Sequence, residues 1–225
     1  IEANKLSPDL IPAAAMAARG YTEKGDWRSA IRVLKKAWEV QPHPDLASAF
    51  AAIEPDETPA ERLQRFRTLT SLRTDSDETK MLLAELLMAA EDFPAARRAL
   101  GDLPTEHPTQ RSLAILAAIA RGEGAEEAVV RDLVAKALSA PRGPQWVCDK
   151  CNAVHPAWAP VCDNCGSFDT LSWRQPPTTG TPTRSLAELL PLMESRPAAP
   201  AEDPEPEVPP EPDTLSPDEI ARRAN

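Results

Sequence analysis

Trp146-Val-Cys148-Asp-Lys-Cys151 and Val161-Cys162-Asp-Asn-Cys165-Gly166 hold every cysteine in the chain. Each cysteine pair brackets two residues, and ten residues separate the pairs. A Cys-x-x-Cys turn aims both sulfurs at one point. Two such turns facing each other set four thiolates at the corners of a tetrahedron, the arrangement Zn2+ prefers. The residue after the second cysteine of such a turn often needs a left-handed backbone. Gly166 suits that place in the second turn and Asn152 fills it in the first. The expected metal ligands are Cys148, Cys151, Cys162 and Cys165.

Aromatic residues surround these turns, with Trp146 and Trp158 expected on one side and Phe168 and Trp173 on the other. A module of about thirty residues cannot bury much core, so the metal must supply much of its folding energy. Residues 144–175 therefore read as a rubredoxin-like zinc ribbon of short strands and two knuckles. Zn2+ in a structural role is the expected ion. Iron is the competing one, although Asp149 and Asp163 stand where iron-binding knuckles often carry Pro. Two disulfides or a redox pair are further readings. Four thiolates close the coordination shell and leave no open position for catalysis. His155, beside Pro156, is expected to be an exposed loop histidine and not a ligand.

Upstream, residues 1–143 are rich in Ala and Leu and show no strand-like alternation. Apolar residues recur at helical spacing, as in Leu82-Leu83-Leu86-Leu87 and Leu113-Leu116-Ala117-Ala120. Ala18, Tyr21, Gly25, Asp26, Ala30, Leu34, Ala37 and Pro42 resemble the tetratricopeptide (TPR) consensus in type and spacing. Ala84, Leu87, Asp92 and Ala96 repeat the pattern sixty-six residues on. Between these copies lies a degenerate pair, about 44–53 and 58–73, whose second helix opens with the capping box Thr58-Pro59-Ala60-Glu61. A fourth pair covers about 108–121 and 124–140, with Ala128 and Ala135 at the crossing positions. The expected fold is an all-α TPR-like solenoid of eight helices in four hairpins, with an irregular bundle as the alternative. Ile1 to Leu6 reads like the end of an earlier helix and no initiator Met is present, so further repeats are expected upstream. By alignment, Arg19, Glu23, Met81, Glu85 and Met88 face a concave partner-binding groove. The two methionines can equally be packing residues. The ribbon is expected to cap the last repeat or to offer a second contact surface.

From residue 176 the composition shifts. Twelve of the twenty-five prolines lie in 176–225, and acids there outnumber bases by ten to four. This reads as a disordered acidic tail, with helix-start signals at Ser185–Leu190 and Ser216–Ile220. The net charge is -10, and the ribbon holds only Lys150 and Arg174 against three aspartates, which argues against nucleic acid. No apolar run of about eighteen residues exists to span a membrane. The eight glycines form no phosphate loop, and His43 and His107 sit next to prolines as turn residues. No catalytic set emerges, and the chain is expected not to be an enzyme.

The run Gly143-Pro-Gln-Trp-Val-Cys148-Asp-Lys-Cys151, then Trp158 to Trp173, following TPR hairpins, resembles the C-terminal region of the bacterial HemY-type TPR proteins associated with haem biosynthesis. The architecture is also similar to that of lipopolysaccharide assembly protein B, a regulatory adaptor. The resemblance covers most of residues 1–175 and not the tail. It implies a membrane anchor upstream, an array on the cytoplasmic side of the bacterial inner membrane, and a protein-binding scaffold whose partner is a haem-biosynthesis enzyme or a membrane protease. The alternative is a metal- or haem-binding protein that handles electrons or tetrapyrroles.

Overall fold

A computed structural model describes residues 1–177, all within one compact unit. The expected tail from residue 178 on, with its two helix-start signals, lies outside the described residues.

Ten helices precede a small sheet. They are α1 (Glu2–Leu6), α2 (Ile11–Glu23), α3 (Trp27–Val40), α4 (Pro44–Ala51), α5 (Pro59–Thr70), α6 (Asp77–Ala89), α7 (Phe93–Leu100), α8 (Leu103–Glu106), α9 (Gln110–Gly122) and α10 (Glu127–Ser139). The eight expected helices are present, α1 falls where Ile1 to Leu6 read as helix, and α8 is added. α8 is a single turn started by Pro104, too short for periodicity to reveal.

Local chemistry sets the helix starts. Asp26 accepts from the Ser29 amide at 3.1 Å to cap α3, and Asp92 accepts from the Ala95 amide at 3.0 Å to cap α7. Thr58 and Glu61 form the expected capping box on α5. Hairpins α2–α3 and α6–α7 cross on alanines: Ala18, Ala30, Ala84 and Ala96 are all fully buried. The second pair departs from this pattern. Where the others place alanines, α4 and α5 meet through Phe50 and Phe66, whose rings lie edge to face at 4.8 Å. Two rings hold the helices farther apart than two methyls do, so α4 packs on α2 and α3 while α5 packs on α6. The Arg65 guanidinium lies over the Phe50 ring and donates to the Phe50 carbonyl at 2.8 Å, and Glu57 holds it from the other side. In the fourth pair the expected crossing residues are corrected. Ala128 is exposed and Ala135 half-buried, whereas Val130 and Ala137 are buried against α9. The crossing therefore falls two residues later than repeat alignment placed it.

Three short strands follow: β1 (Gln145–Cys148), β2 (Val154–His155) and β3 (Leu171–Arg174). They form an antiparallel sheet in the order β2-β1-β3, with Trp146 opposite both His155 and Trp173. This ribbon does not cap the last repeat. The linker is pinned at the start of α9, where Pro141 accepts from the Gln110 amide at 2.7 Å. The sheet then reaches back to the α3–α4 turn. Trp146 and Trp173 pack against His43, with ring centroids 5.3 and 4.2 Å away. A neighbouring hollow is walled by Leu10 and Gln41 on the helical side and by Trp158 and Leu171 on the ribbon. The module therefore packs against the turn between α3 and α4.

Gly122 ends α9 where it passes over Phe93, and a Cβ there would overlap the Phe93 ring. Gly122→Ala should therefore destabilise the α7–α9 contact by about 1–3 kcal/mol. Thermal unfolding followed by circular dichroism checks this, and an unchanged midpoint would contradict the packing described.

Candidate metal centre and the adjoining cleft

β1 ends at Cys148 and delivers it into the first knuckle, where the Asn152 amide donates to the Cys148 carbonyl at 2.8 Å. The second knuckle repeats this geometry: the Gly166 amide donates to the Cys162 carbonyl at 2.8 Å. Asn152 and Gly166 have φ of 59° and 69°, the left-handed conformation expected at both places. Together the knuckles bring the four sulfurs within 4.8 Å of one another. Cys148 and Cys165 are 3.8 Å apart, and Cys151 and Cys162 are 3.7 Å apart. A tetrahedral ion with metal–sulfur bonds of about 2.3 Å requires sulfur separations of about 3.8 Å. A disulfide would need about 2.05 Å. The donor set and its spacing fit a tetrahedral, thiolate-seeking metal ion, and all four cysteines are free.

Each sulfur has one further polar neighbour. Thr170 Oγ1 lies 3.2 Å from Cys148, Asn164 Nδ2 3.4 Å from Cys151, His155 Nε2 3.4 Å from Cys162, and Ser167 Oγ 3.3 Å from Cys165. Such contacts spread the negative charge of the thiolates and fix the direction of each ligand. The Thr170 hydroxyl draws the Cys148 thiol down to about 6, and Ser167 lowers Cys165. Burial pushes Cys162 up to about 11.

His155 is a correction. The expected exposed loop histidine is buried, at 7 % exposure, because β2 pairs it with Trp146 on β1. Its other ring nitrogen lies 3.0 Å from Asp163 Oδ1. Cys162, His155 and Asp163 thus form a carboxylate–imidazole–sulfur chain that Cys-x-x-Cys spacing does not reveal. The sequence signal was the Asp directly after Cys162. Asp149, the equivalent residue of the first knuckle, accepts from Ser172 at 2.7 Å and from Arg174 at 2.9 Å, tying that knuckle to β3. Both aspartates therefore brace the knuckles. The expected aromatic enclosure is partial: Trp146 is buried, Trp158 and Trp173 are half-buried, and Phe168 is 75 % exposed.

His43 is also more than a turn residue. It is 1 % exposed, its Nδ1 accepts from the Asp45 amide at 3.0 Å to cap α4, and its Nε2 has no polar partner among the described residues. Burial lowers its pKa from 6.5 to about 4, with Asp45 opposing the shift. His43 is thus a neutral wedge between helices and ribbon.

A cleft of about 450 Å3 runs between the α3–α4 turn, the start of α6, the α8–α9 segment, the linker and β3. Val40, Pro42, Met81, Leu103 and Trp173 give it an apolar floor, and Arg73 and Arg142 stand among its polar lining residues. Of the residues expected to line a groove, Met81 borders this cleft from within the core, and Met88 packs in the same core cluster. Glu85 is engaged by Arg111 Nε at 2.8 Å, and Arg111 also holds Glu78. Arg19 and Glu23 are exposed and do not line the cleft. His107 borders it, 3.0 Å from Asp77.

No family model matches the chain. Over 173 residues, 76 % of its length, it is 24 % identical to the probable magnetosome protein Mms48 of Magnetospirillum gryphiswaldense. The chain spans 38 % of that relative's length. This is a distant similarity. What stands of the family resemblance is its coarse part, a helical array followed by a four-cysteine cluster. No described helix is long and apolar enough to cross a membrane.

Two outcomes follow. His155→Ala should lower metal affinity by about 10–100-fold, measured by chelator competition; unchanged affinity would remove His155 from the site. Below pH 6.5 an unfolded chain takes up a proton at His43 that the folded one refuses until about pH 4. The stability gained by burying the neutral ring is therefore complete above pH 6.5 and is lost as pH falls through that window, by at most ~3 kcal/mol. His43→Asn keeps a capping acceptor and removes the titration. It should flatten the fall in unfolding midpoint between pH 6.5 and 5, and an equal slope in both proteins would contradict this.

Proposed function

We propose that the chain is a non-catalytic protein-interaction scaffold whose binding place is the cleft between the helical array and the ribbon. The observation that carries this reading is the composition of the cleft: an apolar floor of Val40, Pro42, Met81 and Trp173 beside the guanidinium of Arg142, which is exposed and unpaired among the described residues. An extended peptide segment with one apolar side chain and a neighbouring carboxylate fits that surface. Helical hairpins supply such surfaces without any chemistry of their own.

In this reading the four thiolates hold Zn2+ in a structural role. The ion's shell is closed, and its task is to keep β1 and β3 folded so that Trp173 stays as one wall of the cleft. The distant similarity to a probable magnetosome protein is compatible with a role in assembling other proteins. The haem-biosynthesis enzyme or membrane protease expected from the family resemblance gains no support from that comparison. An anchor upstream and a place on the cytoplasmic side of an inner membrane remain part of the proposal.

The test uses two surface changes that leave the core alone, Val40→Asp and Arg142→Glu. Both variants should keep the helical signal and the metal content of the parent chain while retaining about tenfold less of the partner captured from native membranes, the loss expected when one buried contact is removed. Capture that is indifferent to both changes would overturn the cleft as the binding place. Bound iron or a haem Soret band in the purified chain would overturn the structural-zinc scaffold.

A further inference from the structure

α3 turns a stripe of uncompensated positive charge toward solvent. Arg28, Arg32, Lys35 and Lys36 share one face of this helix, at spacings of four, three and one residues. Among the described residues none of the four takes part in an ion pair, whereas Arg62, Arg65, Arg97, Arg111 and Arg174 each hold a carboxylate. Together with Ile31 and Glu39 they form one continuous patch, in which Glu39 is the single acid. The patch belongs to a chain whose net charge is -10, so it is a local feature set against the overall sign.

The rest of α3 limits what this face can do. Ala30, Leu34, Ala37 and Trp38 on the opposite side are fully buried, so the helix cannot roll or insert. Trp27 is 51 % exposed at its start, and half-buried Ile31 lies between the buried seam and the cations. The face is therefore open to solvent, with long flexible cations spread over about 12 Å of helix. No carboxylate braces the guanidinium groups into a fork for one particular phosphate.

We infer that this face of α3 docks on an anionic membrane surface, with Arg28, Arg32, Lys35 and Lys36 against the lipid headgroups. A diffuse sheet of negative charge matches a diffuse, unbraced row of cations. An acidic polypeptide has the same sign, and the experiment below separates it from a membrane. The attachment is peripheral and electrostatic. It does not depend on the cleft or on the scaffold reading.

Co-sedimentation of the full chain with phosphatidylcholine vesicles, with and without phosphatidylglycerol, tests the inference. The chain should bind the phosphatidylglycerol vesicles selectively, and binding should fade as added salt shortens the reach of the charges below about 8 Å. Each cation near such a surface adds about fivefold to partitioning, so R28Q/R32Q/K35Q/K36Q should bind on the order of a hundredfold less or weaker still. Its circular dichroism should stay unchanged, since Gln suits a helix. Equal binding to neutral vesicles, or undiminished binding by the folded quadruple variant, would overturn the inference. So would capture by polyglutamate with no vesicle binding, which would assign the patch to an acidic polypeptide.

Discussion

Four thiolates at separations of 3.7 and 3.8 Å within each close pair repel one another unless a cation sits among them. The ribbon depends on that arrangement. Its own core is slight: Trp146, Leu171 and two of the cysteines are buried, with Trp158 and Trp173 packed around them. A three-stranded sheet of this size has little else to order it. Thr170, Asn164, His155 and Ser167 each support one sulfur, Asp163 holds His155, and Asp149 ties the first knuckle to β3. The polar residues around the knuckles thus aim the ligands.

The same constraint extends to the helices through two tryptophans. Trp146 and Trp173 face each other across β1 and β3 and close on His43, so the fold of the ribbon decides whether the α3–α4 turn has anything to pack against. The histidine ring fits because it is neutral, and it is neutral because burial makes a charge there costly. The cleft inherits this dependence, since Trp173 lines it. A metal site far in sequence from the first repeats thereby shapes a surface beside them. The repeats themselves rest on a different kind of contact, the close approach of alanine pairs, and need no metal.

Features governed by near neighbours in sequence were legible. The knuckles announce themselves by spacing, and even the left-handed residues Asn152 and Gly166 follow from it. The caps at Asp26, Thr58 and Asp92, and the alanine crossings of α2–α3 and α6–α7, are set within a few dozen residues. What escaped depends on distant partners. His43 reads as a turn residue until Trp146 and Trp173 arrive from a hundred residues away. His155 reads as a loop residue until β2 pairs with β1. The α4–α5 pair looked like a poor repeat, and the reason lies in Phe50 and Phe66 occupying the crossing, which only packing reveals. The position of the ribbon had no local signature, because a five-residue linker from Ala140 to Pro144 permits many directions.

Elemental analysis of the native chain, run together with a count of cysteines open to alkylation, tests the central claim most directly. The account predicts one colourless divalent ion per chain and four cysteines that resist alkylation until a chelator removes it. Four thiols that alkylate freely in the folded protein, with no ion bound, would contradict it.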